Sequence, residues 1–161
     1  MNTPESLPRA WELLQEAYQA QMEGEYERAV DLYQASLKLH PTAEAHTFLG
    51  WTYHFLGQFE DAIAECKKAI EVDPDFGNPY NDIGAYLLEM GRHDEAIPWL
   101  ERATEAARYE PRHFPHYNLG RAYLAKEMYA RARACFQDAL RIEPRYRLAR
   151  EALDSLRRLV N

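Results

Sequence analysis

The sequence predicts an all-α protein built from successive helical hairpins, on three observations. A glycine, aromatic and alanine signature returns at intervals of 33 and 34 residues, a proline closes each interval, and apolar residues recur within it at a period near 3.6. The signature reads Gly24-Glu25-Tyr26-Glu27-Arg28-Ala29-Val30, then Gly57-Gln58-Phe59-Glu60-Asp61-Ala62-Ile63, then Gly91-Arg92-His93-Asp94-Glu95-Ala96-Ile97. A fourth copy, Glu127-Met128-Tyr129-Ala130-Arg131-Ala132-Arg133, keeps the aromatic and the alanine but has no glycine. Pro41, Pro74, Pro111 and Pro144 close the four units.

Within each unit, a small residue marks where two helices must approach: Leu49-Gly50 before Tyr53, Ile83-Gly84 before Leu87, and Leu119-Gly120 before Tyr123. The second helix carries one apolar stripe, as in Ala62, Ile63, Cys66, Ala69 and Ile70, with Glu65, Lys67 and Lys68 assigned to the other face. The turn glycine supplies a left-handed residue after the first helix. Glu127 in that slot should cost about 1 kcal/mol relative to glycine, so the fourth turn is expected to be looser or differently built. Ala103 to Pro111 spans eight positions where Ala69 to Pro74 and Ala139 to Pro144 span five, which predicts a second helix of the third unit nearly one turn longer. Pro98 falls near the start of that helix, where a missing N–H has no helical partner to lose. After Pro144, residues 145–160 read as one amphipathic helix with Leu148, Ala152, Leu156 and Leu159 on one side, a cap over the last exposed apolar face. The chain thus reads as a complete array of four helix pairs and a capping helix.

These residues resemble the tetratricopeptide repeat family, whose pattern is a large residue, Leu-Gly, a Tyr, Gly-x-aromatic, two alanines and a closing proline in about 34 residues. The resemblance implies a right-handed superhelix, an α-solenoid, forming a single domain over 1–161. Its units would run at about 8–41, 42–76, 77–111 and 112–144, with the cap at about 145–160. In such a fold the first helix of each pair lines the concave surface. Positions matching the family's groove-facing set are Tyr18, with Trp11 and Met22, in the first unit, and Glu44, Thr47, Trp51, His54 and Phe55 in the second. The third unit gives Asn78, Asn81, Asp82, Ala85 and Glu89, the fourth gives Phe114, Tyr117, Asn118, Arg121 and Ala125, and the cap adds Tyr146 and Arg150. The groove is then aromatic at one end, polar and basic at the other. Trp51 and Tyr18 are its expected anchors, Asn81 and Asn118 its backbone-binding amides, and Arg121 and Arg150 its partners for a carboxylate. Trp51 or Phe55 as ordinary core is the competing reading. The Lys and Asn constellation with which some family members clamp a chaperone's C-terminal carboxylate is not reproduced, because no early Lys stands beside an Asn and Asp82 would repel that group.

Composition narrows the function. The 161 residues carry a net charge of −7, with 21 acidic against 9 basic residues in 1–120 and 5 against 10 in 121–161. That balance argues against nucleic-acid binding, which relies on many basic contacts to phosphates. Residues 1–11 lack the basic and apolar regions of a secretory signal, and no apolar run spans a membrane, so a cytoplasmic protein is the expectation. Cys66 and Cys135 are read as small buried hydrophobes, too few for a disulfide framework. His113 and His116 stand three apart near a helix start, but two ligands make no zinc site, and surface histidines beside Pro111 and Pro115 are the preferred reading. No phosphate loop, His-Glu-x-x-His pattern or nucleophile motif occurs. The sequence therefore predicts a non-enzymatic adaptor, scaffold or chaperone without cofactor or metal, holding a peptide or protein segment with apolar residues and an acidic end. Head-to-tail self-assembly between the acidic and basic regions, giving a homo-oligomer, is the alternative.

Overall fold

The computed structural model describes residues 5–161. Of the segment read for a secretory signal, residues 1–4 lie outside the described part. Nine helices follow one another among the described residues, with no strand: α1 (Ser6–Met22), α2 (Tyr26–Leu39), α3 (Ala43–Phe55), α4 (Phe59–Val72), α5 (Asn78–Glu89), α6 (His93–Glu105), α7 (His113–Ala125), α8 (Tyr129–Ile142) and α9 (Arg147–Val160). They form two compact units, residues 1–79 and 80–161, and the division falls in the first turn of α5.

In the first unit, Leu14, Ala17 and Ala20 of α1 pack on Ala29 and Tyr33 of α2 and on Ala45 and Leu49 of α3. The alanines let the helix axes close on one another, and Tyr33 fills the space they leave. Its hydroxyl donates to Gln21 Oε1 at 2.7 Å, and the Thr52 hydroxyl reaches the same oxygen at 3.2 Å, so one buried amide ties three helices. Ser36 donates to the Ala10 carbonyl at 2.7 Å. Gly50 is required by proximity, since a Cβ there would lie 3.0 Å from the Ala62 carbonyl oxygen and 3.2 Å from Cys66 Sγ. Thr42 caps α3, its hydroxyl accepting from the Ala45 amide at 3.1 Å.

The second unit repeats this plan with larger side chains. A Cβ on Gly120 of α7 would approach Phe136 Cε1 of α8 to 2.4 Å. Phe136 is fully buried with Ala132 and Leu156, so α8 is held between α7 and α9. Lys126 at the end of α7 pairs with Asp94 in the first turn of α6.

Five features depart from what the sequence suggested. The fourth turn is built like the others: Glu127 adopts φ +59°, beside +77° for Gly57 and +75° for Gly91. Its amide donates to the Leu124 carbonyl at 3.0 Å and the Met128 amide to Tyr123 at 2.9 Å, matching Gly57 to His54 at 2.9 Å and Gln58 to Tyr53 at 2.8 Å. Two such bonds per turn satisfy the orphan carbonyls of the preceding helix firmly enough to hold a glutamate left-handed. Second, α6 is not longer; it has 13 residues against 14 in α4 and α8. The extra residues form a connection at 106–112, because the backbone turns extended at Ala106, and Ala106 and Tyr109 are buried. Third, Pro98 is the sixth residue of α6, beyond the first four amides, so the helix forgoes one internal hydrogen bond at an exposed position. Fourth, the buried side of α9 keeps Ala152 and Leu156 but is completed by Ala149 and Leu153, whereas Leu148 and Leu159, expected on that side, face solvent. Fifth, Glu65 is buried, accepting from Lys68 at 2.9 Å and bonded to His46 Nδ1 at 2.7 Å.

Candidate functional site

On the first unit, α1 and α3 present a connected series of rings. Tyr18 meets Phe48 at 5.5 Å between centroids, Phe48 meets Trp51 at 6.2 Å, Trp51 meets Phe55 edge-on at 6.4 Å, and Phe55 stacks on Tyr26 at 5.4 Å. The spacing explains the alignment, because Trp51 and Phe55 are one helical turn apart on α3, as are Tyr18 and Met22 on α1. Tyr18, Trp51 and Phe55 keep 40%, 39% and 53% of their surface exposed, which removes the ordinary-core reading of Trp51 and Phe55. Phe48 is half-buried and also stacks on the core ring of Tyr33 at 6.3 Å, so the exposed series is continuous with the core. His54 packs against both Phe55 and Phe59.

Thr47, assigned to this surface, is instead buried. Its hydroxyl donates to the Ala43 carbonyl at 2.7 Å, a bond back along its own helix that turns the side chain away from a partner.

On the second unit, α5, α7 and α9 share a polar and aromatic surface. Asn118 Nδ2 donates to Asn81 Oδ1 at 2.9 Å, and Arg121 donates to Asn118 Oδ1 at 3.1 Å. Both amides are therefore fixed in one orientation, with Asn81 and Asn118 almost fully buried and Arg121 exposed. Tyr146, preceding α9, is the hub of the aromatic part: Tyr117 meets it edge-on at 5.3 Å, His113 at 4.5 Å and Phe114 at 5.7 Å. Burial and the neighbouring Tyr117 hydroxyl push the Tyr146 phenol up, and the Arg121 guanidinium draws it back. Burial lowers the His113 imidazole, favouring its neutral form against these rings. Arg150, expected to receive a carboxylate, donates to the Pro144 carbonyl at 2.7 Å and is engaged in holding the approach to α9. Asn78 opens α5 and is half-buried.

The sequence reading missed three contributors. Phe48 and Tyr26 extend the ring series, and their helical spacing from Trp51 and Phe55 was available as a signal for Phe48 only. Tyr109 comes from the 106–112 connection, which periodicity could not place; its phenol is pushed up by burial, by the nearby Asp82 carboxylate and by Tyr146. Asp82 was placed in the groove-facing set and read as a group repelling carboxylates. Its carboxyl is pushed up to about 7 by burial.

Cys66 is fully buried, whereas Cys135 is half-buried, its thiol pushed up to about 11 by burial. Among the described residues no group of three metal-ligating side chains converges, and no helix is long and apolar enough to cross a membrane.

Models of the tetratricopeptide repeat match residues 10–44, 43–76 and 75–144. The chain is 28% identical over 102 residues to the small glutamine-rich tetratricopeptide repeat-containing protein 2 of Mycosarcoma maydis, covering 63% of this chain and 29% of that one. It is 28% identical over 120 residues to the type IV pilus assembly protein PilF of Pseudomonas aeruginosa, covering 74% of this chain and 48% of that one. The chain thus spans less than half the length of either relative. The solved structure of Pseudomonas aeruginosa PilF superposes with a TM-score of 0.85 at 24% identity, covering 91% of this chain and 67% of that chain. That of YrrB, described as a tetratricopeptide repeat protein with an unusual peptide-binding site, gives 0.71 at 24% identity, covering 84% and 70%. These structures share the α-solenoid fold. The chain belongs to the tetratricopeptide repeat family, whose repeats are non-catalytic protein-interaction modules.

Proposed function

We propose that this protein is an adaptor or chaperone that binds an extended segment of a partner protein, with the ring series of α1 and α3 as its apolar anchor. The observation that carries the reading is the exposure of Tyr18, Trp51 and Phe55 on one connected aromatic surface, with exposed Trp11 and Met22 on α1. Rings already packed against one another lose little rotamer freedom on binding, which is why Trp and Tyr dominate binding hot spots. Support also comes from YrrB, a protein of this fold whose description names a peptide-binding site. On the second unit, the second hydrogen of Asn118 Nδ2 and the free donors of exposed Arg121 are suited to a partner's backbone carbonyl or carboxylate.

Peptides selected from a random displayed library against the whole chain test this. Replacing both Trp51 and Tyr18 with Ala should leave the far-ultraviolet circular dichroism unchanged. It should weaken the selected peptides by about thirtyfold or more, the effect of removing about 2 kcal/mol of hot-spot contact. If every selected peptide binds the double variant as tightly as the native chain, the aromatic surface is not the anchor.

A further inference from the structure

On the first unit, α3 turns its rings to one side and a cleft opens on the other. Leu49 and Tyr53 border that cleft, each two residues from Trp51 and so about 160° around the helix from it. The main hollow, about 490 Å³, lies between α2 and α4 with Ala35 and Leu49 as apolar lining, a volume in the range of ligand sites. At Asp31 it adjoins a second hollow of about 300 Å³. Gln34 Nε2 donates to the Tyr53 hydroxyl at 3.3 Å where the two meet. Glu27, Asp31, Gln34 and Lys38 recur at helical spacing, so α2 presents one stripe to both hollows, acidic at its start and basic at its end. Facing it from α4, the buried Glu65 is already satisfied by His46 Nδ1 at 2.7 Å and by Lys68 at 2.9 Å. Lys68 keeps two further N–H groups. Among the described residues Glu27, Asp31 and Lys38 make no hydrogen bond or ion pair.

We propose that this cleft is a second docking site, for an extended partner segment that carries one acidic and one basic side chain. The acidic carboxylate accepts from the ammonium groups of Lys38 and Lys68, and the basic group donates to Asp31, with Glu27 one turn behind it. Asp31 and Lys38 are seven residues apart, about 10 Å along α2. A lysine and a glutamate two residues apart in an extended segment share one side, about 7 Å between their Cα atoms, and their long side chains cover the remainder. Their aliphatic stems lie on Ala35 and Leu49. A purely acidic segment would meet Asp31 and a purely basic one Lys38, so the paired charges select the segment and fix its direction. The site lies across α3 from the aromatic anchor and does not depend on it.

The test is a nuclear magnetic resonance titration of the isotope-labelled whole chain at pH 7 and low salt. The probe is the blocked tripeptide acetyl-lysyl-alanyl-glutamyl amide, with analogues in which norleucine replaces the lysine or glutamine replaces the glutamate. The parent tripeptide should give saturable shifts at Asp31, Ala35, Lys38, Leu49 and Lys68 that spare the Trp51 indole. Each neutral analogue should bind about two- to fivefold more weakly, the effect of losing one exposed ion pair. Lys38 is exposed, so Lys38→Glu should leave the fold intact while reversing the preference, from the glutamyl tripeptide to its acetyl-lysyl-alanyl-lysyl counterpart. Analogues that bind as tightly as the parent, or a preference unchanged in Lys38→Glu, would overturn the assignment. Shifts confined to the Trp51 surface, or no shifts at all while library peptides still bind through Trp51, would overturn it as well and leave the anchor reading intact.

Discussion

Replacing Glu127 with glycine should stabilise the protein, and replacing Gly91 with glutamate should destabilise it by a similar amount. Both residues occupy the same slot after a first helix, at φ +59° and +75°, closed by the same pair of backbone hydrogen bonds. A left-handed residue with a Cβ carries about 1–2 kcal/mol of steric cost, and glycine restores roughly 0.5–1 of that as extra freedom of the unfolded chain. The net expectation is about 0.5–1 kcal/mol in each direction. No packing confounds the reading: a Cβ on Gly91 would meet nothing within 4 Å, and Glu127 is exposed. For a chain of this size the change corresponds to about 1–4 °C in Tm. Thermal and urea melts followed at 222 nm would measure it, with the double variant as a check on additivity. A lower Tm for Glu127→Gly, or no change for Gly91→Glu, would show that the fourth turn does not carry the strain its backbone implies.

Two further predictions concern pH. Burial alone would raise the Glu65 carboxyl, but the hydrogen bonds from His46 and Lys68, followed by their charges, outweigh it and hold the carboxyl below its ordinary value of 4.5. A depressed acid stabilises the fold above its unfolded value and loses that contribution as the pH falls through the folded one. Glu65→Gln should therefore cost about 1–2 kcal/mol at pH 7 and flatten the loss of stability below pH 4.5, which urea midpoints across that range would reveal. Asp82 has the opposite sign: with its folded value raised from 3.8 to about 7, its contribution is present below pH 3.8 and lost as the pH rises through 7. Asp82→Asn should stabilise the protein at pH 8 by about 1–3 kcal/mol, under a ceiling of about 4 from the raised value, and change little at pH 3.5. A midpoint unchanged at pH 8 would mean that water reaches this carboxylate freely.

The hairpins were legible because their markers are steric. Gly50, Gly84 and Gly120 sit where another helix's atoms occupy the place of a Cβ, and a substitution there would be seen in the sequence. Ring exposure at Trp51 and Phe55 followed from the same register. What escaped was anything set by a side chain's choice between partners. Thr47 turns to its own helix, Glu65 is drawn inward by His46, and Arg150 is used by a loop carbonyl, choices that a one-dimensional pattern of apolar and polar positions does not encode. Spacing also says how many residues lie between two landmarks without saying whether they are coiled into a helix, which is how the residues before Pro111 were misassigned.

That connection bears on how far the repeats are interchangeable. Residues 106–112 would be the obvious ones to delete if the third repeat were trimmed to match its neighbours, since α2 and α3 are joined by three residues and α8 and α9 by four. Yet the segment delivers Tyr109 into the interior of the second unit, so deletion would open a void of aromatic size there. A chimaera that swaps whole repeats at their proline boundaries would carry Tyr109 away from Tyr146 or bring Tyr146 an unsuited neighbour. Modular exchange in this protein therefore has a smallest unit that runs from the 106–112 connection through Tyr146 at the entrance to α9, rather than the single repeat.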